Sequence, residues 1–101
     1  MNDIVLGETV MRSGLMLAPM AGATDCSMRL VCRSHGAPYA VTEMVSAKAL
    51  VRHDKKTAEI AAIHEGDSPI AVQIFGRDPA DMAEAALRIA TCDYNGCKTQ
   101  I

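Results

Sequence analysis

The chain has 101 residues, half of them apolar, which is enough to bury one core. With one Phe, two Tyr and no Trp, that core must be aliphatic and rich in methionine, a composition suited to Val, Ile and Leu strands under Ala-rich helices. A formal net charge of −2 excludes a chain that binds polyanions over its whole surface. Such a chain would show a basic stripe, and Arg29, Arg33, Arg52, Lys55 and Lys56 read only as a loose scatter.

In chain order, residues 4–6 and 8–11 flank Gly7 and predict a short β-hairpin. Leu15 to Pro19 predicts the first full strand. Thr24 or Asp25 then caps a helix running to about His35, with Met28, Val31, Cys32 and His35 at helical spacing and Gly36 as its stop. Tyr39 to Met44 predicts a second strand, opened by Pro38. Ser46 begins a short helical turn through Val51, and Asp54 caps a helix to about Ile63. Gly66-Asp67-Ser68-Pro69 is a turn, and Ile70 to Phe75 predicts the third strand. Asp78 caps the last helix, with Pro79 at the first position, where a missing N–H costs nothing. Met82, Ala85, Ala86 and Ile89 give that helix its apolar face.

Each strand is nearly all apolar and each is followed by a helix, so the pattern implies a parallel sheet covered by helices. Right-handed crossovers lay the strands side by side in order. The fold class expected is α/β: the first three βα units of a (β/α)8 TIM barrel, preceded by a short β-hairpin. A closed barrel needs about 250 residues, so the chain is expected to be the N-terminal part of one catalytic domain. Residues 92–101 are expected to form a loop or an aberrant end, because Thr91-Cys92-Asp93-Tyr94 lacks the apolar run of a fourth strand.

The four cysteines give neither the spacing of a zinc knuckle nor that of a thioredoxin-like pair, and idle thiols in a reducing compartment are expected. Asp3, Glu8 and Arg12 stand where a secretory signal would be apolar, and no run is long enough to cross a bilayer. A cytoplasmic protein without metal or membrane partner is expected. His35, His53 and His64 share no spacing and read as surface residues.

Three segments carry more specific information. Leu17-Ala18-Pro19-Met20-Ala21-Gly22-Ala23-Thr24-Asp25 is an apolar strand that stops at Pro and Gly and at once caps a helix. Thr42-Glu43-Met44-Val45-Ser46-Ala47-Lys48-Ala49-Leu50 follows, and Ala71-Val72-Gln73-Ile74-Phe75-Gly76-Arg77-Asp78-Pro79 places one amide in an apolar strand. Small residues at the carboxyl end of a strand leave room for a cofactor. An amide that both donates and accepts can pair with the pyrimidine edge of a flavin. The bland alternatives are a strand-ending Pro with a turn Gly, and a Gln satisfied by its neighbours.

Together, in this order, the three segments resemble the bacterial tRNA-dihydrouridine synthases over about Val5 to Ala90. The resemblance implies an FMN-dependent barrel that reduces uridines in tRNA, with NADPH as the reductant and a cysteine as the acid. It assigns Pro19, Met20, Ala21 and Gln73 to the flavin. The family's acid cysteine follows Asn-x-Gly and precedes Pro, whereas Asn95-Gly96-Cys97-Lys98 is one residue short and lacks the proline. Cys97 is thus a weak candidate, and the catalytic acid is expected to be missing. With one wall of a pocket, the chain by itself is expected to bind FMN weakly or not at all.

Glu43 and Lys48, just past the second strand, face tRNA or another substrate, or they form a solvated pair, or else Glu43 bonds helix amides. Two other functions fit the segments less well. One is a dihydroorotate dehydrogenase-like FMN barrel acting on a small molecule. The other is a non-catalytic half-barrel that self-associates through an open sheet edge.

Overall fold

A computed structural model describes residues 2–94. Its helices begin where the sequence supplies an acceptor for an orphan amide. The Asp25 carboxylate accepts from Met28 N at the start of α1 (Cys26–Ser34). Ser46 accepts from Ala49 N before α2 (Ala47–Val51), and Asp54 from Thr57 N before α3 (Lys55–Ile60). Asp78 accepts from Ala80 N before α4 (Pro79–Ala90). α3 stops three residues before the predicted Ile63. Its end tightens, with Ala62 N donating to Glu59 O rather than continuing the α-helical ladder.

β1 (Ile4–Leu6) and β2 (Thr9–Met11) pair antiparallel, Ile4 opposite Met11. The remaining pairing is parallel. β3 (Ala40–Val41) pairs with β5 (Ile70–Ala71), and β4 (Val45–Ser46) with β6 (Ile74–Phe75). Leu17 forms a single parallel bridge to Ala40, with its N–H donating to Tyr39 O. Leu17, Ala40 and Ile70 therefore stand in one row, in chain order, and all three segments run the same way. The predicted strands are shorter than expected. Leu15 to Pro19 pairs only at Leu17, and the runs 39–44 and 70–75 are each split in the middle.

The splits have a common cause. Ala40 faces Ile70 and Val41 faces Ala71, but beyond the gap Val45 faces Ile74. Four steps on one strand match three on the other, so the segment 42–44 carries one extra residue, as a bulge does. The ladder continues around it through Thr42 N to Ala71 O at 2.9 Å and Val45 N to Gln73 O at 2.8 Å.

The core lies between the parallel strands and α2, α4 and the end of α3. Val45, Ala47, Leu50, Ala61 and Ala85 are buried together, and Val72, Ile74, Met82, Ile89 and Tyr94 pack against them. The predicted apolar face of α4 holds for Met82, Ala85 and Ile89, whereas Ala86 is exposed. Gly76 is needed where β6 meets α4, since a Cβ there would stand 2.9 Å from Met82 Sδ and 3.3 Å from the buried Ala47 Cβ.

α1 departs from its predicted face. Its buried residue is Arg29, while Met28 and Val31 are exposed. Arg29 Nε donates to Asp67 Oδ2 at 2.8 Å, and its terminal nitrogens reach Thr24 O and Ala62 O. Arg33 Nε donates to Asp67 Oδ1 at 3.0 Å, and its terminal nitrogens reach Ser68 O and Pro69 O. A buried cation needs such a set of acceptors. These two arginines are not scattered surface charge; they fasten α1 to the turn before β5.

Candidate functional site

The row Leu17–Ala40–Ile70 sets the height of everything that follows on each segment. Pro19, Met20 and Ala21 stand two to four residues after Leu17, Thr42 and Glu43 follow Val41, and Gln73 lies between β5 and β6. The candidate cofactor residues therefore lie at the carboxyl side of the first and third segments, with Thr42 and Glu43 on the segment between them. Pro19 and Gln73 are half-buried, Ala21 is exposed, and Met20 is 56 % exposed.

The 19–24 turn is built by local hydrogen bonds. Met20 O accepts from Ala23 N and Thr24 N, and Met20 N donates to Thr24 Oγ1 at 2.7 Å. Thr24 is buried, so its hydroxyl is held in place. Gly22 takes a left-handed φ of +76°, which a side chain would resist, and its N–H donates to the Glu43 carboxylate. Among the described residues, the Ala21 amide is the one N–H from Met20 to Thr24 with no acceptor within the chain.

Gln73 is held by its backbone. Its N–H donates to Thr42 Oγ1 at 3.1 Å and its carbonyl accepts from Val45 N. Its side-chain amide has no hydrogen bond among the described residues, and no buried side-chain polar atom there is orphaned. Thr42 is fully buried, and its hydroxyl donates in turn to Glu43 O at 2.9 Å. The first and third segments thus present one backbone donor and one amide side chain without a hydrogen-bond partner among the described residues. That set suits a planar heterocycle whose edge carries both donors and acceptors.

Sequence reasoning singled out Glu43 and allowed it helix amides as partners; the amide it takes belongs to the turn at Gly22. Thr42 was missed as a positioning group, because nothing in an apolar strand marks which Thr will meet a register slip. Lys48 lies apart, at a hollow of about 230 Å³ with Gly76, Arg77, Asp78 and Asp81. A second hollow of about 360 Å³, lined by Leu15, Met16, Leu17 and residues 35–38, opens at the amino ends of the parallel segments. Neither contains Pro19, Met20, Ala21 or Gln73. Cys97 lies outside the described residues. Cys26 and Cys32 are free thiols as expected, but Cys92 is disulfide-bonded, which corrects the expectation of idle thiols throughout. Burial, followed by the Asp67 charge, pushes the Cys26 thiol up. Among the described residues no group of His, Cys, Asp or Glu could hold a metal, and no helix is long and apolar enough to cross a membrane.

Residues 16–98 match the model of the family described as dihydrouridine synthase. The chain belongs to the dihydrouridine synthase family. It is 43 % identical over 89 residues to tRNA-dihydrouridine synthase B of Pseudomonas aeruginosa, covering 87 % of this chain and 26 % of that protein. Identity to tRNA-dihydrouridine synthase B of Pseudomonas putida is 42 % over 87 residues, covering 85 % and 26 %. For the enzyme of that name from Vibrio cholerae it is 43 % over 82 residues, covering 80 % and 25 %. The chain spans about a quarter of the length of these curated relatives. The three segments that carried the resemblance all fall within the residues that match the dihydrouridine synthase model.

Proposed function

We propose that this chain contributes the first three strand–helix units of a (β/α)8 barrel, in a protein that reduces uridine in tRNA to 5,6-dihydrouridine with FMN as cofactor and NADPH as reductant. The observation that carries the reading is that the free Ala21 amide and the free Gln73 side chain both lie at the carboxyl side of parallel segments in the order 17–40–70. In a barrel that is the side where active sites form.

The residues fit the cofactor. Pro19 and the exposed Met20 offer an apolar floor, Ala21 a backbone donor without a bulky side chain, and Gln73 a donor and an acceptor on one group. When bound, FMN supplies the hydride that uridine needs. The work of this chain is to bind and orient. Ala21 N–H would donate to the bound group, the Gln73 amide would pair with its polar edge, and the side chains of Pro19 and Met20 would shield it from water. Neither hollow is lined by these residues, and we expect this wall alone to bind FMN weakly. The exposed Met28, Leu30 and Val31 of α1 suit a surface that more of the same domain covers.

Equilibrium dialysis against FMN tests the cofactor assignment. We expect millimolar binding by the chain and its loss in Gln73→Ala; equal binding by both would remove Gln73 from the site. The substrate assignment is tested by putting residues 5–90 of this chain in place of the matching part of tRNA-dihydrouridine synthase B of Pseudomonas aeruginosa and expressing the hybrid in a strain whose tRNA lacks dihydrouridine. Restored dihydrouridine in digested tRNA is expected. Reduction of free orotate or a related small molecule, without change in the tRNA, would favour the dihydroorotate dehydrogenase-like alternative.

A further inference from the structure

Two consecutive residues of the central segment reach both halves of the candidate flavin site. Thr42 sits at the register slip, fully buried. There a backbone carbonyl in regular register would normally receive the Gln73 N–H; the Thr42 hydroxyl takes its place at 3.1 Å. The same hydroxyl donates to Glu43 O at 2.9 Å, which fixes the peptide from which the Glu43 side chain departs. The Glu43 carboxylate then accepts from Gly22 N, at the one residue of the 19–24 turn with a left-handed backbone. A continuous path of hydrogen bonds thus runs from the third segment, through 42–43, to the first.

A second tie runs from the Thr24 carbonyl to Arg29 and through it to Asp67 before the third segment, but it holds the end of the turn and does not reach Ala21 or Gly22. Thr24 closes the turn upon itself through Met20, and Leu17 N to Tyr39 O ties the first segment two residues before Pro19. From Pro19 to Ala23, the Glu43 carboxylate is the hydrogen-bonding anchor to another segment among the described residues.

We propose that Thr42 and Glu43 are positioning residues that set the spacing between the Ala21 amide and the Gln73 side chain, so that both meet one flavin. The proposal rests on the flavin reading given above. It assigns to the bulge a function, since a regular register would leave no hydroxyl beneath Gln73 and would turn the Glu43 side chain to the other face. Neither residue touches the cofactor in this account; each acts through its partner.

The test uses the 101-residue chain, with FMN as the probe, and reads 1H–15N spectra of wild type, Glu43→Ala, Glu43→Gln, Thr42→Val and Thr42→Ser. Amide exchange is measured first, without flavin. We expect Glu43→Ala to speed exchange at Gly22, Thr42→Val to speed it at Gln73, and the amides of α4 to keep their wild-type shifts. FMN is then titrated into the millimolar range. Glu43→Ala and Thr42→Val are expected to weaken FMN binding, read from the shifts at Ala21 and Gln73, about tenfold, the worth of roughly one hydrogen bond. Glu43→Gln and Thr42→Ser keep an acceptor oxygen and are expected to restore them.

Wild-type affinity in both Glu43→Ala and Thr42→Val would overturn the positioning role while leaving the flavin reading intact. Absence of any FMN-induced shift in the wild type would remove the flavin reading and the positioning role with it; the exchange data would still report whether the tie itself exists. Failure of the Gln and Ser variants to rescue would also overturn the proposal, because bulk rather than the hydrogen bond would then matter.

Discussion

Asp67→Asn should be among the most damaging conservative changes in this chain. Asp67 is fully buried, Arg29 is 1 % exposed, and Arg33 is 10 % exposed. Each carboxylate oxygen takes one guanidinium, at 2.8 and 3.0 Å. An amide of the same shape can accept at one oxygen only, and its NH2 would point at the other cation. Arg33 can swing toward water, but Arg29 cannot leave without abandoning Thr24 O and Ala62 O. Breaking a buried pair from one side costs about 3–5 kcal/mol, against a total of about 5–15 kcal/mol for a domain of ordinary stability. At about 4–8 °C per kcal/mol for a chain near this size, Tm should fall by roughly 12–40 °C. Urea unfolding followed by circular dichroism measures the change directly. Replacing both partners of the deeper pair, Arg29→Met with Asp67→Leu, should cost less than the sum of the two single changes, because the Arg29 charge is then not stranded and Arg33 can turn to water. A loss below about 1 kcal/mol in Asp67→Asn would refute the reasoning, since it would mean that the network behaves like a surface ion pair.

Three further outcomes follow from single contacts. Gly76→Ala should destabilise by about 1–3 kcal/mol, because its Cβ meets Met82 Sδ at 2.9 Å and the buried Ala47 wall at 3.3 Å; urea midpoints check it. The Asp54 carboxyl is held below its usual range by the Thr57 N–H and then the Thr57 hydroxyl. A lowered carboxyl value stabilises the fold above the unfolded value near 4 and loses that contribution as pH falls through the folded one. Midpoints measured from pH 6 to pH 2.5 should therefore drop less steeply in Asp54→Asn than in wild type. Burial pushes the Tyr94 hydroxyl up, and it donates to Ala61 O at 2.9 Å. Ultraviolet titration should show a tyrosine ionising above pH 10 that disappears in Tyr94→Phe, at a cost of about 1 kcal/mol.

What could be read from the sequence was local. Asp25, Ser46, Asp54 and Asp78 each cap a helix because the acceptor and its amide are two or three residues apart, a distance any window sees. The three segments also named the family, since their residues and order carry the match without needing coordinates. What could not be read depended on distance in the chain. Arg29 reads as an exposed helix residue until Asp67, 38 positions later, is brought beneath it. The apolar stripe through Met28 and Val31 was a sound pattern, yet the described residues bury the other side of α1. Thr42 owes its role to a register slip of one residue between β3–β5 and β4–β6, which no strand propensity reveals. Gln73 stood out because a lone amide in an apolar strand is conspicuous; what holds its backbone did not.

The central claim is that the first and third parallel segments form one wall of a flavin site. The most direct measurement is the 1H–15N map of the wild-type chain titrated with FMN. The account predicts that the Ala21 backbone amide and the Gln73 side-chain amide move together along one binding curve, with Met20 and Gly22 as neighbours. Shifts confined to Lys48, Gly76, Arg77 and Asp78, or none at all, would contradict it.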